Sequence, residues 1–161
     1  INPESDKLVD SVSVGDAPRS IVCDKRGQIW VLCEGEIPPS ETPGSLWCID
    51  PVSRVVKDSM SFPAGSHPSN LCLNADSDQL YFLWMGVRKM SIDDSQIPST
   101  AWIEQGTQQF YGLAVNKADG NVWVSDAGDF VQRGKVMRYN SSAELKGSWQ
   151  VGVIPRSFYF Y

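Results

Sequence analysis

Ile21-Val22-Cys23, Leu71-Cys72-Leu73, Leu113-Ala114-Val115 and Phe158-Tyr159-Phe160 are four short apolar runs in a chain of 161 residues. Each follows a turn-like lead-in: Gly15-Asp16-Ala17-Pro18, Gly65-Ser66-His67-Pro68, Gly106-Thr107-Gln108-Gln109-Phe110 and Gly152-Val153-Ile154-Pro155. The runs start 50, 42 and 45 residues apart. A period of about 40–50 residues marks a solenoid, an array or a propeller.

The remainder of the unit repeats in step. After the first three runs come the polar turns Asp24-Lys25-Arg26-Gly27, Asp76-Ser77-Asp78 and Asp119-Gly120-Asn121. Aromatic-centred runs follow at Ile29-Trp30-Val31, Leu80-Tyr81-Phe82 and Val122-Trp123-Val124. Apolar, β-branched and aromatic residues bounded by Gly, Asp and Asn read as strands joined by hairpins. Third strands are expected at Leu46–Asp50, Val87–Asp93 and Val136–Asn140, and fourth strands at Val55–Phe62, Ala101–Gln105 and Leu145–Val151. Four short strands per repeat describe a propeller blade. Helical repeats of similar period need 10–15 residue stretches of helical periodicity, and none is present. A sandwich would not place Trp30, Tyr81 and Trp123 at equivalent positions.

The expected fold is therefore all-β: three four-stranded antiparallel blades over about 19–62, 69–105 and 110–151. Ile1-Asn2-Pro3 aligns with Ile49-Asp50-Pro51, which makes 7–14 an orphan fourth strand. The segment 156–161 supplies an orphan first strand. Closure is what removes a propeller's sheet edges, so the chain reads as one partial domain of a larger propeller. Trp30, Tyr81 and Trp123 are expected to be buried between neighbouring blades.

A net charge of −5 argues against nucleic acid, which calls for clustered Lys and Arg. The longest apolar run, Leu80–Val87, is far shorter than a membrane span. Cys23, Cys33, Cys48 and Cys72 include no Cys-x-x-Cys pair, and they read as buried thiols ahead of a disulfide, with a metal site least favoured. Counting along the hairpin loop places Cys33 opposite Ser45, so Cys48 lies near Trp30 rather than Cys33. His67 is the sole histidine. No nucleophile elbow or phosphate-binding loop is visible, and no metal or cofactor is expected.

Recognition on a propeller is expected on a face built from loops. One face collects the links from fourth to first strands and from second to third strands. At successive lead-ins stand Arg19, Ser69, Tyr111 and Arg156, which differ in chemistry. The next position holds the small Ser20, Asn70, Gly112 and Ser157. Small residues suit crowding near the axis, and dissimilar ones suit contact with a ligand. Arg19, Tyr111 and Arg156 are the expected lining of a central funnel, with His67, Trp84, Asp129 and Phe130 around it.

The lead-in Val14–Ile21, with Gly27–Val31 and Leu46–Pro51, resembles the blade signature of YVTN and YncE-like propellers. Residues 152–160, Gly-Val-Ile-Pro-Arg-Ser-Phe-Tyr-Phe, resemble the C-terminal end of their Bacteroidetes surface-protein branch. The resemblance implies a seven-bladed propeller of which this chain is the C-terminal portion, exported and lipid-anchored at the cell surface. It also implies capture of nutrients, corrinoids among them, for an outer-membrane transporter. Two functional classes follow. One is a non-catalytic module that binds a small molecule, glycan or protein. The other is a propeller enzyme of the lactonase or lyase kind, whose catalytic groups would lie mostly on further blades.

Overall fold

The structure, a computed structural model, describes residues 1–161 and contains eleven strands and no helix. Blade 1 is β1 (Pro18–Cys23), β2 (Ile29–Cys33), β3 (Ser45–Asp50) and β4 (Val55–Ser61). Blade 2 is β5 (Ser69–Leu73), β6 (Gln79–Leu83) and β7 (Val87–Ser91). Blade 3 is β8 (Phe110–Val115), β9 (Val122–Asp126), β10 (Arg133–Tyr139) and β11 (Leu145–Val153). Each sheet is antiparallel and runs in chain order. The inner strands β1, β5 and β8 lie side by side, as in a propeller.

Strand alternation explains how the blades stack. Successive side chains point to opposite faces, so Trp30 and Leu32 face blade 2 while Val31 and Cys33 face away. The first seam joins Trp30, Leu32, Leu46 and Phe62 to Leu71, Leu80, Phe82 and Met90. The second joins Tyr81, Leu83 and Val87 to Leu113, Val122, Val124 and Met137. The expected hairpin register is observed, with Cys33 opposite Ser45 and Trp30 opposite Cys48.

Four expectations need correction. The middle sheet has three strands, because Ala101–Gln105 contributes only a single bridge, Ile103 to Val87. Trp102 N–H and Ile103 N–H both donate to the Val87 carbonyl, at 2.8 and 3.2 Å, so the ladder never advances. Trp102 turns inward against Tyr81 instead, with centroids 5.4 Å apart. Segments 7–14 and 156–161 form no strands. Neither segment enters a ladder with a neighbouring strand, although Val12 and Val14 pack on blade 1 and the Arg156 carbonyl lies against Gly112 of β8.

The third correction concerns the equivalent aromatics. Trp30 and Tyr81 are buried at 3% and 5% exposure, whereas Trp123 is only half-buried, because it lies on the outer face of blade 3. Phe158, Phe160 and Trp149 cover it in part, with centroids 5.6–6.4 Å from its own. The fourth concerns the thiols. All four are free, but only Cys33 and Cys48 are buried; Cys23 is exposed. Desolvation pushes the half-buried Cys72 thiol up to about 12.

Candidate ligand-binding face

The position that varies between repeats is a β-bulge. In the β1–β2 ladder Pro18 pairs with Cys33 and Ser20 with Leu32, leaving Arg19 as the extra residue. In the β8–β9 ladder Phe110 pairs with Asp126 and Gly112 with Ser125, leaving Tyr111. The β5–β6 ladder is irregular over the equivalent stretch, where Asn70 has a φ of 58°. A bulge bends its strand and re-aims a side chain away from the pleat. Arg19 and Tyr111 are thus released from the alternation that governs their neighbours.

The following position is crowded, as its small residues suggest. A Cβ on Gly112 would collide with the Arg156 carbonyl and crowd Ser125 Oγ. The Asn70 amide donates to the Tyr111 carbonyl at 3.1 Å, tying β5 to β8 at the bulge. Ser125 Oγ donates to the Pro155 carbonyl.

Around these bulges opens a cleft of about 640 Å³, within the size range of ligand sites. His67, Trp84, Tyr111 and Phe130 line it, together with Glu34, Met85, Glu104, Gln105 and Gln109. Tyr111 and Phe130 meet edge to face, with centroids 5.3 Å apart at 89°. Phe130 is 41% exposed and sits at φ 62°, a conformation that costs a bulky residue about 1–3 kcal/mol. Asp129 braces it: its Oδ1 accepts the Gln132 and Val131 N–H groups at 2.8 and 3.0 Å. Those two donors hold the Asp129 carboxyl below its ordinary value of 3.8. Asp129 itself lies outside the cleft, beside a separate polar dent with Gln132 and Arg133.

Trp84 is fixed on three sides. Phe62 approaches edge-on with centroids 5.2 Å apart, and the Arg88 guanidinium lies 4.7 Å over the ring. Arg88 Nε also donates to the Trp84 carbonyl at 2.9 Å. Arg88 is 5% exposed, and its Nη1 has no hydrogen-bond partner. Burial lowers its pKa while the nearby Glu104 carboxylate opposes that shift.

His67 Nδ1 lies 3.0 Å from the Glu34 carbonyl oxygen. A carbonyl only accepts, so this contact assigns the proton to Nδ1 and leaves Nε2 as the acceptor of the neutral ring. Arg19 does not line the cleft; its Nε pairs with the Glu34 carboxylate at 3.0 Å. Arg156 also stands outside, with its guanidinium 5.6 Å from the Tyr111 ring centroid. The structure therefore brings four of the seven expected residues into one cleft, sets Arg19 and Arg156 against its walls, and keeps Asp129 as a brace. Glu34, Glu104 and Arg88 were not anticipated. Hairpin register could have found Glu34, because pairing Pro18 with Cys33 places residue 34 beside the lead-in.

No three His, Cys, Asp or Glu side chains are grouped so as to hold a metal ion. No protein-family model and no curated protein matches the chain. Among solved structures, it is similar to a quinoprotein alcohol dehydrogenase-like protein from Bacteroides thetaiotaomicron, with a TM-score of 0.65 and 14% identity. That match covers 82% of this chain and 33% of the other, so the chain spans about a third of the length of the structure it resembles. At that identity the likeness is one of fold: these three sheets are consecutive blades of a β-propeller.

Proposed function

We propose that the bulged face is a non-catalytic binding site, and that the chain is part of a YVTN- or YncE-like propeller exported to the cell surface as a lipid-anchored protein. The carrying observation is the convergence of Trp84, Tyr111 and Phe130, from two loops and one strand bulge of two blades, on one open cleft. Aromatic side chains give large contact area at little conformational cost. Their placement here overrides local preference, since Tyr111 occupies a bulge and Phe130 a left-handed backbone.

In this reading the ligand is a small molecule such as a corrinoid, a glycan or a protein segment. An outer-membrane transporter and the remaining blades are further partners. The test is titration of the full chain with corrinoids, oligosaccharides and peptides, repeated on Trp84→Ala and Tyr111→Ala. Each substitution is expected to weaken binding by about tenfold or more, equivalent to 1.4 kcal/mol. If affinity survives both changes but disappears on shortening the loop 34–44, the site lies on the rim and this reading fails.

A further inference from the structure

We propose that the ligand of this cleft is a neutral carbohydrate, held by aromatic stacking and amide or carboxylate hydrogen bonds. This rests on the cleft being a binding site. It follows from which groups there are already committed and which are left over.

The formal charges at the cleft are partly matched within the protein. Glu34 pairs with Arg19 at 3.0 Å, whereas Glu104 makes no ion pair and only its longer-range field reaches the buried Arg88. No lysine or arginine lines the cavity itself. An anionic ligand would therefore meet two carboxylates, and a cationic one would have to compete with arginines already in place. Bringing in an unmatched charge is costly where water is partly excluded. The ring faces tell the same story. Arg88 covers one face of Trp84 at 4.7 Å, and Arg156 lies 5.6 Å from the Tyr111 centroid. The negative quadrupole that would attract a ligand cation is thus answered from within the chain.

The groups left over are mixed donors and acceptors beside apolar surface. The side-chain amides of Gln105 and Gln109 line the cavity with no partner in the chain, and each can both donate and accept. Ser69 Oγ accepts from Asn70 at 3.1 Å, so its own hydrogen stays free to donate. His67 Nε2 adds an acceptor. A pyranose has the complementary character: a C–H face for the rings of Trp84, Tyr111 and Phe130, and a rim of hydroxyls that both donate and accept.

The experiment is calorimetric titration of the full chain with neutral gluco-, manno-, xylo- and galacto-hexasaccharides, alongside oligogalacturonate and hexalysine as anionic and cationic probes. At least one neutral probe is expected to bind, with an affinity that changes less than about twofold between roughly 50 and 500 mM salt. Trp84→Ala and Tyr111→Ala should weaken it by about tenfold or more. Preferential binding of oligogalacturonate or hexalysine, falling steeply with salt and lost in Trp84→Ala, would overturn the carbohydrate class while leaving the cleft as the binding site. Failure of every neutral probe to bind overturns it as well. Binding that ignores the Trp84 and Tyr111 substitutions would overturn the site and the class together.

Discussion

On the side of the sheets away from the cleft, five hairpins use one device. Asp24, Asp50, Asn74, Asn116 and Asn140 each open a turn with Oδ1 accepting backbone N–H groups of that turn. Asp24 goes further, since its Oδ2 also accepts the Trp30 indole N–H at 2.9 Å. On the cleft side the fourth-to-first links share a Gly-x-x-Pro lead-in three times, but the residues that follow it and the second-to-third links differ from blade to blade. The second-to-third strand links run from a long proline-rich loop at 34–44 to the tight Met85-Gly86 turn, and the bulged residues are Arg19 and Tyr111. Both sides belong to the same strands. Where the requirement is only to turn the chain, the same carboxylate or amide serves again and again; where it varies, something other than folding has set the residue.

The largest effect should come from the repeating side. Trp30→Ala is expected to cost about 3–5 kcal/mol, as for other buried aromatics. The equivalent Trp123→Ala should cost about 1–2 kcal/mol, because that ring is only half withdrawn from water. Urea denaturation of both variants checks the difference. Equal costs would mean that the outer face of blade 3 is as tightly packed as the seam between blades 1 and 2.

Next comes Asp24→Ala, which orphans the buried Trp30 indole N–H along with two turn amides. It should destabilise by about 2–3 kcal/mol without altering ligand affinity. A loss of affinity at unchanged stability would break the division between the two sides.

The smallest effect is an acid one. The Asp78 carboxyl is held below 3.8 by the Asn74 amide and by Lys25, whose ammonium reaches across from blade 1 at 3.0 Å. Because the folded value is depressed, this contribution is fully present above 3.8 and is lost as pH falls through the lower folded value. Asp78→Asn should therefore flatten part of the acid limb of a stability profile below pH 3.8 and lower neutral stability by the same small amount. An unaltered acid limb would show that Lys25 and Asp78 do not couple the blades.

The same division explains what could be read from the sequence. The repeat, the strand order and the pairing of Cys33 with Ser45 were legible because folding imposes them at every blade. Ala101–Gln105 misled because it carries the apolar pattern of a fourth strand while both of its inner donors converge on the Val87 carbonyl. Trp123 misled because local pattern does not say whether a neighbouring sheet will cover a face. At the cleft, Tyr111 was conspicuous as a break in the repeat. Arg19 was conspicuous too, but its commitment to Glu34 depends on a contact across the ladder. Asp129 was visible as a carboxylate in a loop; that it spends itself bracing Phe130 emerges only from the turn geometry.

The most direct test sets one residue from each side in opposition. Melting temperature and affinity for the best-binding hexasaccharide would be measured on Asp24→Ala and Tyr111→Ala in parallel. The account predicts a double dissociation: Asp24→Ala melts earlier and binds as the parent does, while Tyr111→Ala melts with the parent and binds about tenfold or more weakly. If Tyr111→Ala instead lowers the melting temperature as much as Asp24→Ala and binds normally once folded, Tyr111 is a structural residue and the bulged face is not the recognition surface.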